Sequence, residues 1–343
     1  MAGVARGEQA VTEALTQLLA RTDAAAGRVQ GLRRLTGGAT KTTWAFDWVR
    51  AGVTRALILQ QTPALTGLRG RAPKLDARED AAVMRLARAG GAPAPVVHAV
   101  LEEADGLGDG YVTEAVAGET LGKRVVREPS LAHARSRMAR QCGEILATIH
   151  SLRLDDVPFL QRLSPADELS VYSELLGACG VRHPALIYAL CWVREHLPSL
   201  GSPALVHADF RTGNLIVGPE GVRCVLDWEI ARIGDPMQDL GVLCMRSWRF
   251  GGAGEVGGFG AREELYAAYE ASSGQAVDRE RVRFWEAFSN LKWAIACARR
   301  GSAQTNDRRP ASLELSAVGR RLEEPLWDFF QLLAPGRETR RTA

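Results

Sequence analysis

The sequence lacks several features that mark common classes of protein. No apolar run reaches the length of about 18 residues that a membrane-spanning helix needs, and the segment from Met1 to Gly27 has no apolar stretch of the kind found in signal peptides. No two of the six cysteines lie close enough in the chain to form a local zinc or redox pair. These absences predict a cytoplasmic protein with reduced cysteines and no membrane contact.

The chain also lacks a strong charge of either sign. Its 43 basic and 40 acidic residues give a net charge of +3, which argues against a nucleic-acid partner. What is present is an ordinary globular composition, with 46% hydrophobic and 24% charged residues. A chain of 343 residues is long enough for one large or two modest domains.

Hydrophobic periodicity divides the chain into a β-rich part and a helical part. Residues 1–25 are expected to form an N-terminal helical extension, with an amphipathic helix over 9–21. Residues 26–116 are the β-rich part. Its predicted strands are 28–36, 42–49, 54–61, 96–101 and 111–116, and its helix runs from an Asp76 cap through Ala89.

Residues 117–335 are mainly helical, and residues 336–343 form a tail. Helices are predicted around Met138 to Ile149 and over 183–197, 238–245, 263–271, 278–299 and 313–333, and a hairpin joins 214–217 to 222–226. A small β-rich lobe followed by a larger helical lobe places a cleft between the two, where ligand sites are common.

The segment from Val206 to Asn214 and the later Asp227 carry the clearest chemical pattern. Asp209 is predicted to end a strand, Asn214 to begin the next, and Asp227 to end its hairpin partner, so the three side chains should meet at one edge. A few hard oxygen ligands are typical of a Mg²⁺ site. Phosphoryl transfer needs such a metal, a carboxylate that orients the attacking hydroxyl, and a cation such as Arg211.

The motif His207-x-Asp209-x4-Asn214 resembles the catalytic loop of aminoglycoside phosphotransferase and choline kinase-like enzymes, which are relatives of the protein kinases. The resemblance implies an α+β, two-lobed, protein kinase-like fold and a donor that is ATP or GTP. It also implies that Asp209 is the catalytic base, that Asn214 and Asp227 hold Mg²⁺, and that Arg211 contacts the γ-phosphate.

Three further residues near this motif have structural roles by the same resemblance. Asp239, in the Gly234-Asp235-Pro236 run, is expected to anchor the catalytic loop, and His207 to position it rather than to bind metal. Ala208 stands where many members have glycine, which is a mild change if the backbone there remains β-like.

The nucleotide side of the site is predicted less directly. Gly37, Gly38 and Thr40, followed by Lys41, lie between two strands and could present backbone N–H groups to phosphates. A Gly-Gly pair alone is more often only a turn. The hinge that binds adenine through its backbone is expected at Glu114-Ala115-Val116, so Glu114 and Val116 join the candidate nucleotide-binding residues.

The strand-three cation of the family is missing from its expected place. Gln60 occupies that position, and a neutral amide cannot neutralise phosphates as Lys or Arg does. Glu79 matches the helix glutamate that normally pairs with the cation, and without it Glu79 could be a solvated helix residue. Lys41 or Arg78 could supply the missing charge.

The acceptor segment from Leu243 to Gly252 contains two arginines and two aromatic residues, and no carboxylate follows until Glu255. A polycationic aminoglycoside would favour acidic side chains, so this composition indicates an apolar or anionic acceptor. Alternatively, Trp248 and Phe250 are core residues and the arginines are solvated.

The stretches 205–258 and 314–333 resemble, more narrowly, the kinase domain attached to some acyl-CoA dehydrogenases. This resemblance implies phosphorylation of a hydroxyacyl-CoA or hydroxy acid, with an acyl-CoA dehydrogenase in the same pathway. Two alternatives remain: an aminoglycoside or choline-like amino-alcohol phosphotransferase, and a nucleotide-binding pseudokinase or scaffold.

Overall fold

The computed structural model describes residues 7–22, 26–35, 41–62, 74–199, 201–306 and 313–334. Within these ranges, no helix is both long and apolar enough to cross a membrane. All six cysteines are free thiols.

The N-terminal part is a five-stranded antiparallel sheet with a helix before it and another within it. Its elements are α1 (Glu8–Thr22), β1 (Arg28–Leu35), β2 (Thr42–Arg50), β3 (Val53–Thr62), α2 (Ala77–Ala89), β4 (Val97–Val100) and β5 (Asp109–Glu114). The strand order is β1-β2-β3-β5-β4. All five strands and both helices were predicted, although β5 begins and ends two residues earlier than expected.

The rest of the chain is mainly helical. Its helices are α3 (Gly122–Arg127), α4 (Ala132–His150), α5 (Pro165–Cys179), α6 (Pro184–Glu195), α7 (Met237–Cys244), α8 (Arg262–Ser273), α9 (Arg279–Asn306), α10 (Leu313–Gly319) and α11 (Glu323–Leu333). Two small antiparallel pairs complete it: β6 (Ala204–Val206) with β9 (Arg232–Gly234), and β7 (Leu215–Gly218) with β8 (Gly221–Val225).

Three features of this part differ from the sequence prediction. The single helix expected over 313–333 is two helices, because α10 ends at Gly319, where a Cβ would lie 2.6 Å from the Cα of Gly301 in α9. Helices α3 and α5 were not predicted. Strand β9 was also missed, because three residues are too few for an alternating pattern to be recognised.

The described residues form two large hydrophobic cores and a small cluster of Val242, Met245 and Trp248. One joins α1 to the sheet, with Leu15, Phe46 and Leu59 at its centre. The other fills the helical part and extends to the inner face of α2, including Ala81 and Met84. Helix α2 is therefore positioned by the larger core, although it lies in the chain between strands of the sheet.

A buried polar network fixes α9 against the elements around the cleft. Glu168 of α5 accepts hydrogen bonds from Arg232 (2.9 and 3.0 Å), Gln238 (2.7 Å) and Lys292 of α9. Burial opposes its charge, but Arg232 and Lys292 lower the pKa of Glu168 to about 2. Burial lowers the pKa of Lys292 to about 8. A buried charge set of this kind is stable only when complete.

Candidate active site

The predicted catalytic residues lie in loops that follow short strands. β6 ends at Val206, three residues before Asp209, and Asn214 ends a short 3₁₀ turn before β7. Asp227 follows the end of β8 by two residues. The prediction that Asp209 and Asp227 end strands and that Asn214 begins one was therefore wrong by one to three residues. The two loops still meet, because the Leu226 N–H donates to the Asn214 carbonyl oxygen at 2.8 Å.

Asp239 of α7 anchors the catalytic loop, as predicted. Its carboxylate accepts hydrogen bonds from the backbone N–H groups of His207 (2.8 Å) and Ala208 (2.7 Å), and it lies 3.2 Å from Nε2 of His150. Burial favours the neutral acid, but the contact with His150 and these hydrogen bonds hold the pKa of Asp239 below its ordinary value. His207 is buried and places Nε2 3.0 Å from the Leu226 carbonyl oxygen, which fits a positioning role.

Ala208 does not meet the condition of a β-like backbone under which alanine would be a mild change. Its φ is +66°, in the left-handed region. The conformation turns the chain so that the Ala208 N–H faces Asp239. Asp227 has the same φ of +66°, but aspartate tolerates the left-handed region better than alanine.

Replacing Ala208 by glycine should stabilise the protein by up to about 1 kcal/mol. The left-handed conformation costs an L-residue about 1–2 kcal/mol, whereas glycine loses about 0.5–1 kcal/mol of conformational freedom relative to alanine. Ala208→Val is the opposite control, since a β-branched residue is strained there. Urea unfolding should rank the stabilities Gly, Ala, Val in descending order, and a less stable glycine variant would contradict the assignment.

Asp209 is held between two donors. Nε of Arg211 donates to its carboxylate at 2.9 and 3.1 Å, and Nδ2 of Asn214 donates to Oδ2 at 2.7 Å. Burial raises the pKa of Asp209, Arg211 opposes this, and the negative charge of Asp227 adds to the rise. The structure thus brings Asp209, Arg211, Asn214 and Asp227 together.

Lys41 lies at the centre of a cluster of carboxylates. Its Nζ is 3.1 Å from Oδ1 of Asp227, 2.9 Å from Oε2 of Glu229 and 3.5 Å from Oδ2 of Asp80. Burial opposes the charge on Lys41, but the surrounding acidic groups raise its pKa above the ordinary value. For Asp80, the effect of burial exceeds the opposing effect of Lys41 and raises the pKa to about 6. The buried ammonium group beside Asp227 therefore belongs to the residue just before β2 and not to a residue of β3.

Gln60 lies beside this cluster without supplying a charge. Its Oε1 is 2.6 Å from the Tyr111 hydroxyl, which is itself 2.9 Å from Oδ2 of Asp80. One phenolic proton cannot serve both acceptors. The Tyr111 hydroxyl therefore donates in one of these two hydrogen bonds and accepts in the other. The proton it accepts belongs to Asp80 in its acid form or to the Gln60 amide after rotation of that group.

The other predicted residues of the nucleotide side lie elsewhere. Glu79 is outside the cluster, since its carboxylate accepts from the Asp76 N–H at 3.0 Å in a capping box at the start of α2. Arg78 is exposed and lines a separate cleft with Arg21 and Arg85. Glu114 ends β5 and accepts a hydrogen bond from the Val96 N–H at 2.9 Å.

Val116 follows Glu114 at the crossover to the helical part. The predicted phosphate-binding residues Gly37, Gly38 and Thr40 lie outside the described residues.

Sequence reasoning missed Asp80 and Glu229. Asp80 is buried on α2 and precedes Met84 and Ala87 by four and seven residues, so helical spacing already placed it on the inner face. Glu79, one position away, was chosen instead because it matched a motif. Glu229 follows Asp227 by two residues, and its contact with Lys41 depends on long-range pairing that the sequence does not show.

The acceptor side has aromatic and cationic side chains. Trp248 is buried, and the guanidinium of Arg211 lies 4.5 Å from the centre of its ring. The Phe250 ring packs on Gly122 at the start of α3. Arg249 donates to the Cys244 carbonyl oxygen at 2.9 Å, whereas Arg246 is mostly exposed. Trp248 is thus a core residue that also contacts the catalytic loop.

The solved structures that are similar share the whole two-lobed architecture. A protein from Ralstonia eutropha assigned to the aminoglycoside phosphotransferases matches with a TM-score of 0.72 at 20% identity, covering 94% of this chain and 97% of that one. A spectinomycin phosphotransferase in complex with ADP and spectinomycin matches with a TM-score of 0.63 at 13% identity, covering 94% and 98%. The fold is therefore that of the protein kinase-like phosphotransferases.

The family assignment comes from the sequence itself. Residues 31–285 match the model of the phosphotransferase enzyme family. The chain therefore belongs to this family of phosphotransferase enzymes.

Curated relatives include acyl-CoA dehydrogenase family member 10 of Mus musculus, 28% identical over 204 residues and 56% of this chain. Acyl-CoA dehydrogenase family member 11 of Homo sapiens is 31% identical over 139 residues and 38% of this chain. The match covers only 18% of the length of each of these two relatives.

Proposed function

We propose that the protein transfers the γ-phosphate of ATP or GTP, bound with Mg²⁺, to the hydroxyl of a small hydroxyacyl-CoA or hydroxy acid. The proposal rests mainly on two groups of charged side chains that lie close together, one around Asp209 and the other around Lys41. Asp209, held by Arg211 and Asn214, lies near Asp227, which is paired with Lys41. A base, a metal-binding carboxylate and two cations are the parts that phosphoryl transfer requires.

The residues present fit a magnesium ion. The Asn214 amide donates through Nδ2 to Asp209, so its carbonyl oxygen remains for a metal, and Asp227 contributes a partly exposed carboxylate. No group of three or more His, Cys, Asp or Glu suited to a metal is found in the described ranges. Mg²⁺ takes one or two carboxylates and fills its other positions with waters and substrate phosphates, so the Asp227 carboxylate and the Asn214 carbonyl oxygen would be a sufficient set of protein ligands.

The donor nucleotide is proposed to lie between the sheet and the catalytic loop. Lys41 would neutralise its phosphates, and the loop of Gly37, Gly38 and Thr40 would cover them. The backbone from Glu114 to Val116 would contact the base. Support comes from the position of Lys41 next to Asp227, and from solved relatives that hold ADP or GDP.

Each catalytic side chain then has a defined task. Asp209 accepts the proton of the acceptor hydroxyl and orients its oxygen, and burial raises its pKa, which makes the carboxylate a stronger base. Arg211 holds Asp209 through Nε, which leaves its terminal nitrogens for the charge of the transferred phosphoryl group. The bound metal would supply charge stabilisation on the phosphates.

The acceptor is proposed from the relatives and from the site together. The relatives named as acyl-CoA dehydrogenase family members favour an acyl substrate and a pathway shared with such a dehydrogenase. An aminoglycoside acceptor is the second candidate, favoured by solved relatives that hold spectinomycin or kanamycin. A pseudokinase is disfavoured because Asp209, Asn214 and Asp227 are all present in contact-competent positions.

Asp227→Asn should remove most of the Mg²⁺ dependence of nucleotide binding, about tenfold in affinity. Asparagine tolerates the left-handed backbone at this position, so the variant changes the charge and not the fold. Calorimetry of ADP binding with and without Mg²⁺ measures the effect. If Mg²⁺ tightens binding equally in the variant and the wild type, Asp227 does not hold the metal.

A further inference from the structure

Four side chains form a continuous series of ring and guanidinium contacts that leads away from the proposed catalytic base. The Arg211 guanidinium lies 4.5 Å from the Trp248 ring centre, Trp248 lies 5.1 Å from Trp293, and the Arg300 guanidinium lies 5.3 Å from Trp293. We call this set, Arg211, Trp248, Trp293 and Arg300, the Arg–Trp ladder. Its first member also binds Asp209, so the ladder begins at the reacting centre.

The ladder has polar atoms without partners. Nε1 of Trp293, one terminal nitrogen of Arg300 and Oγ of the neighbouring Ser247 are buried, and within the described part of the chain none of them makes a hydrogen bond. Buried polar atoms in native proteins are nearly always satisfied, and exceptions call for an explanation such as an absent ligand. An indole N–H and a guanidinium are donors only, so the ligand that completes them must bring acceptor atoms.

The charges around the ladder favour an anion. Two guanidinium groups lie at its ends, and Arg211 already uses Nε on the carboxylate of Asp209. Glu286, a buried carboxylate on the same helix, is neutralised by Arg262 at 2.8 Å. Burial lowers the pKa of Arg300, and repulsion from the positive charges of Arg299 and Arg211 lowers it further, whereas Cys297 and Asp209 oppose this shift. An anionic group would relieve that repulsion, whereas an ammonium group would increase it.

We propose that the Arg–Trp ladder is the acceptor subsite and that Arg300 selects a substrate whose anionic group, a carboxylate or a phosphate, is joined to the reacting hydroxyl by an apolar chain. The hydroxyl lies at Asp209, the apolar chain lies along Trp248 and Trp293, and the anion lies at Arg300. This assignment rests on the proposed function and narrows it. It favours free hydroxy acids or phosphorylated alcohols over neutral esters and amino alcohols.

The test compares matched acceptors with the full-length protein, nucleotide and Mg²⁺. The first pair is 4-hydroxypentanoate, which carries a carboxylate, and its neutral methyl ester. The second pair is glycerol 1-phosphate, which carries a phosphate, and neutral glycerol. The CoA thioester of 4-hydroxypentanoate, choline and kanamycin complete the set. We expect kcat/KM for one anionic acceptor to exceed that of its neutral analogue at least tenfold. Arg300→Gln should abolish the preference through KM, while turnover of the neutral analogue remains.

Two controls separate this effect from general damage. Arg279→Gln removes an exposed arginine from the same helix and should leave the preference intact. Trp293→Phe keeps the ring but removes the N–H, and should weaken the anionic acceptor alone. An equal loss for anionic and neutral acceptors in Arg300→Gln, or a wild type that prefers neutral or cationic acceptors, would overturn the proposal.

Direct binding keeps the inference testable if no acceptor is turned over. With ADP present, 4-hydroxypentanoate or glycerol 1-phosphate should change the fluorescence of the ladder tryptophans in the wild type and in Arg279→Gln, but not in Arg300→Gln. No saturable change with either anion overturns the subsite. Phosphate transfer to choline or kanamycin that depends on Asp209 but not on Arg300 would contradict the proposed subsite and would still support the proposed kinase function. Failure to bind any nucleotide would sink the proposed function itself.

Discussion

Asp209→Asn should lower the rate of phosphate transfer by about 10²–10⁴-fold, the usual contribution of a general base, while nucleotide affinity stays near that of the wild type. The carboxylate of Asp209 contacts Arg211 and Asn214, and the Lys41 cluster lies on the other side of Asp227. The amide keeps the shape of the side chain but cannot accept the hydroxyl proton. Rates in single-turnover experiments and calorimetry with ADP measure the two effects.

The matched control for this variant is Asp156→Asn, an exposed aspartate outside the cleft. It should have the transfer rate of the wild type. Circular dichroism and thermal unfolding should show that Asp209→Asn is folded. A folded Asp209→Asn protein with near-normal turnover would refute the base assignment.

Lys41→Ala should weaken nucleotide binding by about a hundredfold or more, because it removes the buried cation of the phosphate site. It should also destabilise the protein by about 3–5 kcal/mol at pH 8, the usual effect of leaving a buried ion cluster without one partner. Calorimetry and urea unfolding measure these effects. Lys123→Ala, which removes an exposed lysine of α3, is the control and should change neither quantity.

The loss of stability in Lys41→Ala should depend on pH. In the wild type the pKa of Asp80 is raised to about 6 by burial, although Lys41 lowers it, so without Lys41 the pKa rises further. A raised folded-state pKa stabilises the fold while the group is protonated, and this stability is lost as the pH rises through it. The variant should therefore be closest to the wild type at pH 5.5 and furthest at pH 8. An equal difference at both pH values would contradict this account of the cluster.

Gln60→Lys is the companion variant for Lys41. If the site had no other cation, a lysine at position 60 would tighten nucleotide binding, because it would supply the charge that the neutral Gln60 lacks. In the structure Lys41 already contacts Asp80 and Asp227, and Gln60 contacts Tyr111. A second ammonium would meet a like charge, so affinity should stay the same or fall. Tighter binding in Gln60→Lys would show that Lys41 does not fill the role.

The catalytic motif could be predicted because its residues lie close together in the chain. Asp209, Arg211 and Asn214 fall within six residues, and the hairpin that follows brings Asp227 back to them. The buried face of α2 could also be predicted, because its apolar residues recur at helical spacing. The partners of Lys41 were not predictable, because Asp80 reaches it from α2 and Asp227 and Glu229 reach it from the loop after β8, and the approach of these two segments depends on packing.

Backbone conformation was the other property that the sequence did not reveal. Ala208 carries no side-chain signal for a left-handed φ, and the conformation is imposed by the contact of its N–H with Asp239, 31 residues later. The C-terminal helix was predicted as one unit because the helical pattern continues through Gly319. Its division depends on the close approach of Gly301, which is a tertiary effect.

Helix α9 makes two different sets of contacts through two adjacent faces. One carries Trp285 and Lys292, seven residues apart, which are bound to Asp235 and to the Glu168 network. The adjacent face carries Trp293 and Arg300, also seven residues apart, which belong to the Arg–Trp ladder. If the Arg–Trp ladder binds the acceptor as proposed, substitutions on the second face should change the acceptor and leave the contacts with Asp235 and Glu168 intact. The choice of acceptor would then be set by one face of one helix, the face of α9 that carries Trp293 and Arg300.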